Sequence, residues 1–135
     1  MASLAQVEKS FGQTQNALSR LKEAISCNEA AELKEDAVIK RFEFTYELLW
    51  KCFKKIAQIE KIECFSPKSS FQAAFKMGLL SNEFIFLDMI DARNRTTHVY
   101  SRDESHQIYL QILEPFVSAI NEALGSIEQW IDKNK

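Results

Sequence analysis

Arg93-Asn94-Arg95-Thr96-Thr97-His98-Val99-Tyr100 packs an arginine, a histidine five positions on and a tyrosine two beyond that into eight residues. Histidine is the side chain that exchanges a proton near neutral pH. Arginine is a permanent cation whose fork of donors fits a phosphate. A proton shuttle beside a phosphate clamp is the smallest set that cleaves a phosphodiester without a metal. In RNA, the 2′-hydroxyl attacks the adjacent phosphorus, a base takes its proton and an acid protonates the leaving 5′-oxygen. One neutral and one protonated histidine fill both roles. Two copies of the chain would supply two copies of His98, and Arg93 would stabilise the charge developing on the phosphoryl oxygens. Five residues turn about 140° on a straight helix. Arg93 and His98 therefore share a cleft only if the helix loosens before His98 or the cleft wraps around it.

Plainer roles compete for the same residues. A histidine near a helix end is commonly a cap or a buried hydrogen-bonding group, and the Tyr100 ring can simply pack on neighbouring helices. His98 and His106 are the only histidines, and no carboxylate flanks His98 closely, so neither a metal site nor a cofactor is expected. Asp103, Glu104 and His106 suit a helix N-terminus, where acidic residues are favoured. Lys51, Lys54 and Lys55 share one side of a helix, as a solvated face does, or as a guide for RNA or an acidic partner. On the same helix Glu47 attracts Lys51 across one turn while Glu43 and Glu47 repel. Arg41 or a partner subunit is expected to neutralise that clash.

The elements that carry these residues read as helices. Leu4, Val7, Phe11, Leu18, Leu21 and Ile25 form one apolar stripe, with Thr14 at the skipped position, ending near Cys27-Asn28-Glu29. A second stripe runs Val38, Ile39, Phe42, Tyr46, Leu49, Phe53, Ile56, on a helix starting between Glu32 and Asp36 and reaching about Glu60. Ser66-Pro67 opens a short helix that stops at Gly78. Ser81-Asn82-Glu83 caps another, which should fray at the β-branched pair Thr96-Thr97. After Arg102-Asp103 a last long helix carries Ile108, Ile112, Phe116, Ile120, Leu124, Ile127 and Ile131, and Pro115 should kink it. The fold expected is all-α: an up-down antiparallel four-helix bundle with one additional short helix. Phe44, Phe65, Phe84 and Phe86 exceed what one small core needs and would be buried in a homodimer, or they are ordinary core.

Composition sets the bounds. At 135 residues, 1–135 reads as a single domain. Only 3 glycines and 2 prolines leave few turns. A net charge of −2 means any RNA-facing basic surface is local. Cys27, Cys52 and Cys64 are odd in number and widely spaced, which suits a reducing, cytoplasmic setting rather than a disulfide framework. No basic stretch followed by an apolar run opens the chain and no long apolar segment occurs, so no membrane association is expected.

The eight-residue segment resembles the Arg-x4-His-x-Tyr motif of HEPN toxins, the RNase partners in HEPN–MNT toxin–antitoxin pairs. Arg41-Phe42-Glu43-Phe44-Thr45-Tyr46-Glu47-Leu48-Leu49-Trp50-Lys51 resembles the second helix of nucleotidyltransferase substrate-binding proteins, a branch of that superfamily. Ser66-Pro67-Lys68 and Ala73-Ala74-Phe75-Lys76-Met77-Gly78-Leu79-Leu80 resemble their third. With Met89 to Tyr100, the likeness spans roughly residues 38–101 in the same order as in the family. It implies a four-helix bundle that dimerises and whose partner is a minimal nucleotidyltransferase (MNT) subunit. It also implies Arg93, Asn94 and His98 as catalytic residues of a cleft completed across the dimer. Tyr100 matches the tyrosine that the partner adenylylates. Arg41, Glu43, Lys51 and Lys68 lie in the matching stretches as contacts for RNA or the partner. Two function classes follow: a metal-independent endoribonuclease toxin silenced by its nucleotidyltransferase, or a non-catalytic adaptor that presents a substrate to that enzyme.

Overall fold

The computed structural model describes residues 2–98 and 101–135. Its first helix, α1 (Leu4–Ser26), starts on a reciprocal cap: the Ser3 hydroxyl accepts from the Gln6 N–H at 3.2 Å and the Gln6 amide oxygen accepts from the Ser3 N–H at 2.9 Å. It ends where Cys27 turns extended. The second helix, α2 (Ala31–Ile59), begins without any side-chain cap, one residue ahead of the expected range. Ser66 caps α3 (Pro67–Lys76) and Asn82 caps α4 (Glu83–Thr96), as the sequence indicates. Gly78, at φ 77°, adopts the left-handed turn that stops α3.

The last helix is kinked at Pro115, as its sequence indicates. Pro115 has no N–H to donate and forces the residue before it away from helical angles. Glu114 accordingly sits at φ −160°, ψ 120°. A widened turn over Ile112–Phe116 joins α5 (Arg102–Gln111) to α6 (Val117–Lys133).

The helices pack as an up-down bundle in which α5 and α6 together make the fourth member and α3 is the additional short helix. α1 and α2 run antiparallel: the Arg41 guanidinium donates to the Arg20 carbonyl at 2.6 Å. α6 lies antiparallel to α1, with Lys22 donating to Asn121 at 3.0 Å. α5 is pinned to the start of α2 by the Arg102–Glu32 pair at 2.6 Å and by His106 Nδ1 on Glu35.

Aromatic rings fill the centre. Phe42 stacks on Phe116 at 5.5 Å, and Phe71 touches Tyr46, Phe53 and Phe86. Phe71 is the only one of these rings contributed by the short helix α3, and its truncation to alanine would cost about 3–5 kcal/mol. Phe86 thus belongs to the core, while Phe44, Phe65 and Phe84 stay exposed at 61%, 80% and 76%. Burial pushes the Cys52 thiol up to about 11, which makes it a packing residue rather than a nucleophile. No helix among the described residues is long and apolar enough to cross a membrane.

Candidate functional site

α4 delivers the motif and ends inside it. Its last helical residue is Thr96, and the His98 N–H bonds back to the Arg95 carbonyl at 2.9 Å in a tighter final turn. Two β-branched residues at the terminus favour that ending: the hydroxyls of Thr96 and Thr97 each reach a carbonyl three residues back, Arg93 at 2.7 Å and Asn94 at 2.8 Å. The helix therefore stops before His98, one of the two arrangements under which Arg93 and His98 could share a cleft. Among the described residues no hydrogen bond joins Arg93 to His98, and the side chains of Asn94 and His98 are exposed and unengaged. Tyr100 lies outside the described residues.

Arg93 is held differently from what the sequence suggests. Its guanidinium lies against α2, with Nη1 at 3.2 Å from Glu43 Oε2 and Nε at 4.0 Å from Glu47 Oε1. Nη1 also donates to the Thr96 hydroxyl at 3.3 Å, and that hydroxyl is 2.9 Å from the same Glu43 oxygen. The clash of Glu43 with Glu47 is thus neutralised by Arg93 from another helix. Neither Arg41 nor a partner subunit is needed, since Arg41 is spent on the Arg20 carbonyl. Among the described residues Arg93 Nε is buried without a hydrogen bond, its nearest anion being Glu47 Oε1 at 4.0 Å.

Glu47 is the junction of a wider array. Its Oε2 accepts the Trp50 indole N–H at 3.1 Å and lies 3.9 Å from Lys51 Nζ. The chain thereby brings Arg93, Glu43 and Lys51 into one network. Lys68 stands apart, exposed on the first turn of α3. Beneath the network the buried Tyr46 phenol is pushed up to about 12, first by burial and then by the Glu47 charge, with Arg93 opposing.

Sequence reasoning missed the Arg93–Thr96–Glu43 contact, which closes over 53 positions and has no local pattern. It also missed Arg95, whose guanidinium bridges Asp91 at 3.2 Å and Gln111 at 3.1 Å and so fixes α4 against α5. His106 does not cap α5. Ser101 caps α5, and the imidazole goes to Glu35. No group of residues able to hold a metal ion occurs among the described residues.

Chemically, the arrangement offers an exposed imidazole and carboxamide at a helix end, beside an arginine shared between two carboxylates. An anion that reached Arg93 would compete with Glu43 and Glu47 for it.

Comparison with known proteins places the chain in a family. A Haemophilus influenzae protein described as a probable ribonuclease HepT is 30% identical over 79 residues, covering 55% of this chain and 54% of the relative. The chain thus matches about half the length of that relative. A crystal structure from Thermus thermophilus superposes with a TM-score of 0.76 at 30% identity, over 84% of this chain and 98% of that one. A Haemophilus influenzae structure, reported to reveal the fold of a substrate binding domain of a nucleotidyltransferase, superposes with a TM-score of 0.67. It is 21% identical and covers 93% of this chain and 99% of its own, a likeness of fold alone. Residues 9–129 match the model of the family described as nucleotidyltransferase substrate binding protein like, and the chain belongs to that family.

Proposed function

We propose that this chain, acting as one domain in the cytoplasm, is a HEPN-type endoribonuclease toxin that cleaves RNA without a metal. Its cognate minimal nucleotidyltransferase restrains it. The observation that carries the reading is the ending of α4 at Thr96, which leaves His98 exposed just past the helix that carries Arg93 and the exposed Asn94. In a homodimer, one His98 takes the proton of the 2′-hydroxyl as that oxygen bonds to phosphorus. The other His98 gives a proton to the departing 5′-oxygen, which leaves a 2′,3′-cyclic phosphate. Arg93 and the Asn94 amide bear on the phosphoryl oxygens. The likeness to a protein described as a probable ribonuclease supports the reading. An adenylate on Tyr100 would set negative charge two residues from His98, occluding the cleft and competing for Arg93.

RNA incubated with the purified chain in chelator should yield 2′,3′-cyclic ends, and His98→Ala should abolish the cleavage with helical content intact. Activity that requires a divalent ion or survives that substitution would overturn the mechanism. In the same preparations, co-expression with the nucleotidyltransferase should add adenylate mass to the Tyr100 peptide, and Tyr100→Phe should block it.

A second reading, the non-catalytic adaptor, is favoured by one feature: within a single chain Arg93 is engaged by Glu43 and Glu47. Its mark is a chain that binds the nucleotidyltransferase yet neither cleaves RNA nor arrests growth when expressed alone.

A further inference from the structure

The antiparallel pairing of α1 with α2 sets the start of one helix beside the end of the other and leaves a groove of about 610 Å³ between them. Four cations line it: Lys9 from α1 and Lys51, Lys54 and Lys55 from α2. Among the described residues no carboxylate lines it, in a chain whose net charge is −2. Lys54 and Lys55 are half-buried where they line it, the burial that long cationic side chains adopt when their stems lie on apolar surface. Trp50 lines the same groove, its indole fixed by the N–H bond to Glu47. Through the two oxygens of Glu47, the groove abuts the Arg93 cluster.

A row of cations on two helices, with a fixed aromatic ring among them, is the arrangement that tracks a phosphodiester backbone while stacking a base. A single point charge would need one lysine; four distributed cations match a ligand whose charge repeats along its length. We propose that this groove holds single-stranded RNA, its phosphates on Lys9, Lys54 and Lys55 and one base against Trp50. The strand is thereby led toward Arg93. The proposal rests on the nuclease reading for the identity of the ligand, but concerns binding and not cleavage.

The test uses the full chain carrying His98→Ala, so that the probe survives, and a fluorescent single-stranded oligoribonucleotide titrated at several salt concentrations. Removing one lysine that neutralises a phosphate should flatten the dependence of log K on log salt by about 0.7. The triple variant K9Q/K54Q/K55Q should bind more weakly at low salt, with a slope shallower by about 2. Trp50→Leu should weaken binding roughly fivefold to a hundredfold with the slope kept, as loss of one stacked base does. Circular dichroism checks folding, and the lysine variant, altered only at side chains that line the groove, keeps the test decisive if Trp50→Leu misfolds.

A triple variant that binds RNA with the parent's affinity and slope would overturn the proposal. So would a parent that binds no RNA, or a triple variant that loses only its hold on the nucleotidyltransferase, which would make the groove a protein-docking surface. The two readings fail separately. RNA binding abolished in the groove variants, alongside a wild-type chain that never cleaves, sinks only the nuclease. His98-dependent cleavage with undisturbed binding sinks only the groove.

Discussion

Arg93 sits between two carboxylates that would repel each other without it, and that position sets its energetic role. Its side chain is 24% exposed and that of Glu43 20%, so the pair is screened less than a surface bridge yet keeps some water. Arg93→Ala should cost roughly 1–2 kcal/mol of stability, because it removes the pair and leaves Glu43 facing Glu47. Adding Glu47→Gln to that variant should recover part of the loss, since the repulsion goes with the second charge. Urea denaturation of the two variants and the parent measures this. Equal midpoints for all three would mean that the network contributes nothing to folding. The sequence makes Glu43, Glu47 and Lys51 visible as neighbours on one helix. It cannot show that the compensating cation comes from 46 to 50 residues away, because side-chain pairing between helices follows from packing and not from spacing.

At the scale of the helix, local chemistry and burial differ in legibility. Ser66-Pro67, Gly78 and Asn82 mark boundaries because each satisfies or stops a helix by its own backbone or side chain. The start of α2 at Ala30 has no such residue, and the contacts recorded there are the Arg102–Glu32 and His106–Glu35 pairs from α5, which no local pattern reveals. On α4, Phe84, Ile85, Phe86, Leu87, Met89 and Ile90 point all round the helix, and pattern alone does not reveal that Phe86 and Met89 face inward. Pro115 is legible as an interruption, but its depth depends on Glu114 leaving the helical region.

Burial on α2 has a consequence in alkali. Tyr46 is 1% exposed, and its phenol is raised from 10.0 to about 12. The folded state therefore holds the Tyr46 proton more tightly than the unfolded chain does. The stability it contributes is fully present below about pH 10 and is lost as pH rises from there toward 12. That loss is on the order of 2–3 kcal/mol. Tyr46→Phe should be less sensitive than the parent over this interval in denaturant melts, and identical alkaline profiles would refute the assignment to Tyr46.

At the scale of the whole molecule, one chain supplies half of what the proposed chemistry needs. In a concerted displacement a single His98 cannot be neutral base and protonated acid at the same moment, and Arg93 and His98 make no hydrogen bond to each other among the described residues. A second copy would complete the cleft, and under the nuclease reading Phe44 would help to seat it. It is 61% exposed on α2, directly after Glu43 of the Arg93 cluster. Burying a ring of this kind stabilises an interface by about 1.5–3 kcal/mol per copy, and a two-fold axis counts it twice. Under the nuclease reading, small-angle scattering at micromolar concentration should therefore give the mass of a dimer. Phe44→Glu should shift it toward monomer and lower RNA cleavage in proportion to the dimer lost, with helical content unchanged. Mixing wild-type chain with an excess of His98→Ala should leave the heterodimers with one His98 each, and these should be nearly inactive. A parent that scatters as a monomer, or heterodimers that cleave at half the wild-type rate, would show that each chain works alone and that the composite cleft does not form.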